Sequence, residues 1–254
     1  MNRALISKEV RDLRWKLLVG FLVLLGAVLL MIVLYEKLLE VIPQDTGQLP
    51  PFISVEMLQG FSDYTTAMWS NFNDKNLPQI GTLLAIVLGI GLLAPEIESG
   101  TITLLLTNGA CRRRVFWIKA SLAIVALILL PMVISLLIPP FSRVFGYSLS
   151  HLRLVPATLV ACLGLFFVLA VSLFISLLVK DRIWSGIASA ILFGLWSVLG
   201  FWKSTRVFSP FYHMRAADYF FGESGFPWLT ALGYLLATAA VLLLAERRFV
   251  NEEL

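Results

Sequence analysis

Charged residues are scarce in this sequence, at only 14% of its 254 residues. Soluble domains carry about 25% charged residues, whereas this chain is 59% hydrophobic and has a mean hydropathy of +0.87. These values predict an all-α membrane protein that crosses the bilayer several times. The net charge of +4 is explained by cations that collect on cytoplasmic loops, so no nucleic-acid partner is expected.

Cysteine and histidine are also scarce, with two of each. Cys111 falls in a charged stretch and Cys162 in an apolar run, so the two are not expected to form a disulfide. His151 and His213 have no Ser or Cys nearby in a dyad arrangement and no carboxylates at metal-ligand spacing. No catalytic residue and no metal site is therefore expected in this chain.

Six apolar runs are long enough to cross a membrane. We assign these spans to residues 17–34, 77–94, 120–138, 155–179, 183–201 and 227–245. None of these ranges contains Asp, Glu, Lys, Arg or His, so no proton relay of the kind used by ion-driven carriers is expected. The chain has no Walker A motif either, so it is not expected to hydrolyse ATP.

The first 16 residues combine apolar and basic side chains. Ile6, Val10 and Leu13 recur at helical spacing among Lys and Arg residues, which predicts an amphipathic helix in the headgroup region. A signal peptide is the alternative, but the apolar run that ends at Leu34 has no A-x-A site after it. With six spans the termini share a side, and that side holds most of the 20 Lys and Arg residues, which predicts cytoplasmic termini.

Two polar segments are predicted to lie on the outer side. Residues 35–76 contain three prolines and several aromatic residues, and a helix over residues 55–72 is expected to lie on the outer surface. We favour an interfacial loop with an aromatic belt over a gate or a cargo-capture element. Residues 202–226 hold the densest aromatic set and the helix-breaking pair Ser209-Pro210. Non-helical backbone at membrane depth must be buried in protein or line water.

The longest charged interruption is PEIESGTITLLLTNGACRRRVFWIK, residues 95–119. Glu96 and Glu98 follow the second span, residues 101–106 form a short and partly apolar predicted helix, and the cations 112–114 come next. The two carboxylates are two residues apart and do not share a helix face, so they are interpreted as docking charges and not as an acid–base pair. The stretch favours either a protein-docking surface or a helix on the lipid surface, with its arginines on phosphates.

This stretch resembles the signature of ABC-2-type transporter permeases, the membrane subunits of bacterial ABC exporters. Their pattern is roughly E-x-E-x-G-T-x-x-x-L-L-x-x-P-x-x-R with a Lys further on. The positions that fall on it in register are Glu96, Glu98, Gly100, Thr101, Leu105, Leu106, Arg112 and Lys119. Gly109 stands where the family usually has Pro, and Ile118 stands where it often has Gly.

The resemblance implies a multi-pass permease in a bacterial or archaeal cell (inner) membrane, paired with an identical or related copy above two ABC ATPase subunits. ATP and Mg²⁺ are then bound by the ATPases, and this chain binds no cofactor. Residues 1–16 are expected to form an elbow helix that touches the ATPase, and 95–119 to carry a coupling helix. The segment 202–226, with FSPFYH at 208–213, is expected to form short re-entrant helices. The motif residues from Glu96 to Arg112 are expected to couple ATP hydrolysis to transport.

Several alternatives remain from the residues themselves. Gly186, Ala190 and Gly194 share one helix face as a small-residue packing surface, which serves either packing within the subunit or a dimer seam or cavity wall. Uncharged spans suit an amphipathic or hydrophobic cargo, such as a drug, a peptide or a lipid-like molecule. A non-transporting membrane scaffold for a cytosolic partner is the alternative function, and the missing polar residues disfavour an intramembrane enzyme.

Overall fold

The computed structural model describes residues 2–41, 61–102 and 111–251, and these ranges contain helices and no strand. Six helical stretches are long and apolar enough to cross a membrane, as judged by length and composition. The all-helical class is therefore confirmed, and the number of candidate spans agrees with the six predicted from the sequence.

Ten α-helices make up most of the described chain. In order they are α1 (Asn2–Val41), α2 (Tyr64–Trp69), α3 (Leu77–Ile90), α4 (Ala94–Glu98), α5 (Arg112–Val144), α6 (His151–Val179), α7 (Arg182–Val198), α8 (Pro210–Met214), α9 (Ala217–Phe221) and α10 (Trp228–Asn251). A π-helical segment, Ser70–Asn76, joins α2 to α3, and 3₁₀ turns cover Leu199–Phe201 and Arg206–Phe208.

The first helix is one unbroken element of 40 residues. The separate elbow helix predicted over residues 1–16 is not confirmed, because α1 runs on into the first span without a kink residue between them. At 1.5 Å per residue the helix is about 60 Å long, roughly twice the thickness of a hydrocarbon core. Its charged N-terminal turns therefore continue along the axis of the span, and Leu13 is buried against the other helices.

The second span begins earlier than its hydropathy predicts. The helical run starts at Tyr64 and continues through the π-helical segment into α3. The surface helix predicted over residues 55–72 thus belongs from Tyr64 onward to this run, and residues 55–60 lie outside the described ranges. As a result Asp74 and Lys75 belong to the same helical run as the second candidate span, whereas the sequence placed them in an outer loop.

Asp63 fixes the start of this run. Its carboxylate accepts hydrogen bonds from the backbone N–H of Thr66 at 2.9 Å and from the Thr66 hydroxyl at 2.8 Å. We predict that Asp63→Ala lowers the free energy of unfolding by about 1 kcal/mol, because an N-terminal backbone N–H of α2 loses its acceptor. Asp63→Asn keeps a capping oxygen and is the matched control in thermal melts of the purified protein. Equal losses in both variants would contradict this role.

The sixth α-helix is the centre of the bundle. It contacts α3, α5, α7, α8 and α10, and small residues along it let these neighbours approach. A Cβ atom built on Gly164 would lie 2.4 Å from Cγ of Met214 in α8. A close approach is also found at Gly89 of α3, where a Cβ would lie 2.8 Å from the carbonyl oxygen of Leu169. These contacts set the distances between α6 and its neighbours.

Prolines do not end the third span. Pro131, Pro139 and Pro140 all lie inside α5, which continues to Val144. The sequence predicted an end at residue 138, but buried membrane helices tolerate internal proline because neighbouring groups compensate for the missing backbone hydrogen bond. The Ser142 hydroxyl lies 2.6 Å from the hydroxyl of Tyr64, so this last part of α5 is tied to the start of the second span.

Short helices lie in the linker between α7 and α10, in the segment 202–226 for which the family resemblance implied re-entrant helices. Their insertion into the membrane stays a prediction. Tyr234 of α10 donates a hydrogen bond to the carbonyl of Pro210 at 2.5 Å, and Trp196 of α7 donates one to the carbonyl of Phe208 at 3.0 Å. These bonds hold the linker against the two helices that it joins.

Candidate functional site

One end of the bundle carries most of the charged side chains that contact each other. The N-terminal turns of α1 and α5, the C-terminal turns of α10 and the short helix α4 meet there. This is the end at which residues 95–119 were predicted to dock a partner.

The helix α4 is attached to the bundle by its apolar N-terminal side. Leu92, Leu93 and Ala94 are buried, and they anchor the turn that connects α3 to α4. Because the helical repeat is 3.6 residues, Glu96 and Glu98 point in different directions. Glu96 faces inward with a side chain that is 12% exposed, while Glu98 is exposed.

Lys119 binds the inward-facing carboxylate. Its Nζ lies 2.5 Å from Oε1 of Glu9 in α1 and 3.1 Å from Oε1 of Glu96 in α4. Lys8 donates a further hydrogen bond to Oε1 of Glu96 at 2.7 Å. We call these four residues the Lys119 cluster. It joins α1, α4 and α5, three elements that are distant in the sequence.

Burial makes the Lys119 cluster different from a surface ion pair. The side chains of Lys119 and Glu9 are only 3% and 6% exposed, so water screens their charges weakly. Lys8 is half exposed and lies at the rim. Removal of one buried partner would leave an uncompensated charge, which is the costly case for an ion pair inside a protein.

A polar cavity of about 230 Å³ lies beside the cluster. Asp12 and Lys16 of α1 and Ser99 line it together with the cluster residues. The second carboxylate oxygen of Glu96 is buried and accepts no hydrogen bond from the described residues. The cavity has polar walls and room for several water molecules, each of which takes about 30 Å³ in the liquid.

The turn after α4 requires glycine. Gly100 has a φ of +69°, a left-handed conformation that costs other residues energy. The hydroxyls of Ser99 and Thr101 lie 2.9 Å apart, and Ser99 donates to the carbonyl of Pro95 at 2.7 Å. Ile102 is buried. The predicted coupling residues Glu98, Gly100 and Thr101 therefore form the exposed edge of one anchored turn.

Two other predicted coupling residues, Leu105 and Leu106, lie outside the described ranges. The short helix predicted over residues 101–106 is described only at its first two residues, Thr101 and Ile102, which are helical.

A second set of contacts ties α5 to α10. Arg112 donates a hydrogen bond to the carbonyl of Val250 at 3.3 Å. Arg113 forms an ion pair with Glu246 at 2.6 Å, and the indole N–H of Trp117 donates to the same carboxylate at 3.0 Å. Two of the three consecutive arginines thus contact α10. The side chain of Arg113 is still 70% exposed, so contact of this triplet with lipid phosphates stays a prediction.

Sequence reasoning missed Glu9 and Glu246 as members of this end of the bundle. One sequence feature could have pointed to Glu9. It lies four residues before Leu13, so both occupy the same face of α1, and both are buried. Lys119 was recognised as part of the motif but was not assigned a partner.

The small residues of α7 divide into two environments. A Cβ on Gly186 would lie 3.2 Å from Cδ1 of Ile90 in α3, so this end packs within the subunit. A Cβ on Gly194 would meet no atom within 4 Å. Ala190 and Gly194 line a cleft of about 670 Å³ between α7 and the second span. Both residues therefore line a cleft within one copy of the chain, and their role as a dimer seam or as the wall of a transport cavity stays a prediction.

Comparison with known proteins adds one finding to this geometry. A family model described as "ABC-2 family transporter protein" matches residues 3–207, which include the Lys119 cluster, α4 and α7. No curated protein and no solved structure matches the chain.

Proposed function

Because the chain belongs to the ABC-2 family of transporter proteins, and is thus a membrane-spanning permease subunit, we propose that it couples ATP hydrolysis by a separate subunit to export. In this proposal two ABC ATPase subunits bind ATP and Mg²⁺. They dock on the exposed edge formed by Glu98, Gly100 and Thr101. A second permease copy, identical or related, completes the transport path.

The observation that carries this proposal is the Lys119 cluster. A motor that moves α4 pulls on a helix that is bound to α1 and α5 through one buried ammonium group. Breaking these contacts costs more free energy than moving α1, α4 and α5 together, because separation leaves buried charges without a partner. The cluster is therefore suited to transmit a push on α4 as a rigid-body motion.

The motion would reach the cleft through α3. The connection from α3 to α4 is only a three-residue turn, 91–93, and α3 forms one wall of the cleft that α7 closes on the other side. A tilt of α3 relative to α7 changes the width of that cleft. Alternating between two widths would expose a bound molecule first to the inner side and then to the outer side.

Orientation and cargo belong to the same proposal. The charged end of the bundle faces the cytoplasm of a bacterial or archaeal cell, since that end holds most of the cations. The cargo is amphipathic or hydrophobic, such as a drug, a peptide or a lipid-like molecule. The cleft walls support this assignment because apolar side chains such as Leu83, Ile86 and Phe193 line them.

The test is whether Glu98→Lys uncouples the motor. Glu98 is exposed, and substitutions at exposed positions usually change stability by less than about 0.5 kcal/mol. We therefore expect an unchanged melting temperature. We also expect at least about a tenfold weaker association with the co-purified ATPase, because a docking carboxylate becomes a cation. Gly100→Pro cannot adopt the observed φ, and it is expected to weaken the association with the ATPase by a similar factor.

Glu223→Lys is the matched control. Glu223 is also an exposed carboxylate, but it lies in the linker before α10, at the opposite end of the bundle. ATPase binding and cargo-stimulated hydrolysis should be unchanged in this variant. If no ATPase co-purifies with the wild type, and Glu98→Lys behaves like it, the alternative of a non-transporting membrane scaffold is favoured instead.

A further inference from the structure

The cleft between the second span and α7 has a polar end and an apolar body. Ser70, Asp74, Lys75 and Gln79 line one end, together with Arg215 from the linker before α10. Leu83, Ile86 and Phe193 are among the side chains that line the rest. A cavity of about 670 Å³ falls in the size range of small-molecule sites, which are mostly apolar with a few polar groups.

Arg215 is held in a fixed position at the polar end. Its guanidinium forms an ion pair with Asp74. It also lies 5.7 Å from the ring centroid of Trp69 and 5.9 Å from that of Tyr212, within the range of cation–π contacts. The indole N–H of Trp69 donates to the Arg215 carbonyl at 3.2 Å. Both ends of this residue are therefore anchored to the second span.

The polar end has an excess of positive charge. Asp74, Lys75 and Arg215 are its charged residues, which leaves one cation in excess of the single carboxylate. Lys75 is exposed to the cleft and forms no ion pair with any carboxylate in the described ranges. A cation without a carboxylate partner, at the polar end of a cleft whose other walls are largely apolar, favours an anionic ligand.

Thr82 supplies a hydrogen-bonding group between the two parts of the cleft. It lines the cleft, the residue is 8% exposed, and its hydroxyl has no hydrogen-bond partner among the described residues. Buried hydroxyls normally have a partner. Asp74 and Lys75 lie in the π-helical segment Ser70–Asn76, and such segments occur frequently at functional sites.

We propose that this cleft binds an anionic amphiphile as the transported cargo. The anionic headgroup lies against Lys75 and Arg215. The Thr82 hydroxyl forms a hydrogen bond with the polar group that joins the headgroup to the chain. The apolar chain packs along Leu83, Ile86 and Phe193. This inference rests on the proposed transport function and narrows its cargo to one charge class. Asp74 orients Arg215, and the excess positive charge from Lys75 disfavours cationic amphiphiles of the same length.

The experiment compares two amphiphiles that differ in headgroup charge. The purified chain in phosphatidylcholine nanodiscs is loaded with a fluorescent dodecanoate, which is then displaced by dodecyl phosphate or by dodecyltrimethylammonium. We expect dodecyl phosphate to displace the probe at about tenfold lower concentration, a ratio that corresponds to about 1.4 kcal/mol. Lys75→Glu should abolish this preference. Thr82→Val should weaken the binding of dodecyl phosphate several-fold.

Lys203→Glu is the matched control. It makes the same change of charge at an exposed position of the linker after α7, outside the cleft lining, and should leave the preference intact. Equal displacement by both amphiphiles in the wild type would overturn the proposal, and so would a Lys75→Glu variant that keeps the wild-type preference. Nanodiscs that contain phosphatidylglycerol test whether the natural ligand of the cleft is a lipid of the surrounding bilayer or a transported cargo. Loss of probe binding there would identify a site for bilayer lipid and would overturn the assignment as cargo.

These measurements need no ATPase, so they fail independently of the coupling proposal. A chain that binds dodecyl phosphate selectively but never stimulates a motor would contradict the proposed function and keep the anion-selective site. A chain that couples to a motor through Glu98 but binds both amphiphiles equally would keep the proposed function and remove the charge selectivity.

Discussion

Lys119→Met is expected to lower the free energy of unfolding by about 3–5 kcal/mol, because it leaves the carboxylates of Glu9 and Glu96 buried without their shared cation. Both carboxylates lie within 3.1 Å of Lys119 Nζ, and Lys8 compensates for Glu96 alone. Thermal melting in detergent measures the loss. It is read by thiol accessibility of the buried Cys162 in a Cys111→Ser background, because Cys111 is exposed. A fall of this size would place the variant among the most destabilising single substitutions.

Arg114→Met is the control for this variant. It removes a cation of the same helix, but Arg114 is exposed, so the expected change is below about 0.5 kcal/mol. If the two variants melt at the same temperature, the ion pairs of Lys119 with Glu9 and Glu96 do not stabilise the fold as their distances indicate.

A triple neutral variant separates folding from coupling. Glu9→Met, Glu96→Met and Lys119→Met together remove all three buried charges, and replacing a buried ion pair by hydrophobic residues of similar volume is often neutral or stabilising. We expect the melting temperature to recover to near the wild-type value. ATPase stimulation by cargo should remain low, because the charged contacts that link α4 to α1 and α5 are gone. Recovery of both quantities would mean that the cluster only stabilises the fold.

Gly89→Ala is the second substitution with a large expected effect. A Cβ at this position would lie 2.8 Å from the carbonyl oxygen of Leu169 and 3.1 Å from the backbone nitrogen of Leu173. Backbone atoms of a central helix cannot rotate away as a side chain does, so α3 must separate from α6. Overpacking of this kind costs about 1–3 kcal/mol, and thermal melting of the purified chain would measure it.

Gly26→Ala serves as its control. Gly26 also lies inside a membrane-spanning helix, but a Cβ there would meet no atom within 4 Å. Alanine has the higher helix propensity, by about 1 kcal/mol, so this variant should be as stable as the wild type or slightly more stable. Comparable destabilisation by both substitutions would argue that glycine matters for helix flexibility and not for the contact between α3 and α6.

Gly89→Ala should also change transport. The distance between α3 and α6 determines where α3 stands relative to α7, and these two helices form the walls of the cleft. A forced separation near the C-terminal end of α3 therefore changes the geometry of the proposed amphiphile site near its N-terminal end. A variant that retains its fold but loses selective binding of dodecyl phosphate would be consistent with this link.

The second span illustrates where sequence reasoning fell short. Its polar part, SNFNDKN, contains residues that favour turns and loops, so the sequence predicted an outer segment there. In the structure this part continues the helix in a π-helical form, with Phe72 and Asn73 fully buried. Packing against the bundle overrides the local preference, and it brings Asp74 to the cleft that it shares with Arg215.

The first helix shows a different limit. Its two parts were distinguished correctly by composition, as a basic amphipathic stretch followed by an apolar run. A helix continues through such a change in composition unless a capping residue or a helix breaker interrupts it. The sequence KLLVG at residues 16–20 contains neither a proline nor an N-cap pattern. The helix therefore continues unbroken from the basic part into the apolar part.

The sequence alone determined the membrane class, the six spans, the charged end of the bundle and the family motif between spans two and three. These features depend on the length of apolar runs and on the spacing of nearby residues, and both can be read directly along the sequence. Only the tertiary structure decided that Glu96 faces inward while Glu98 is exposed, that Glu9 pairs with a lysine 110 positions away, and that Asp74 and Arg215 share a cleft. Such pairings depend on the rotation and tilt of each helix, and these are set by close packing around α6.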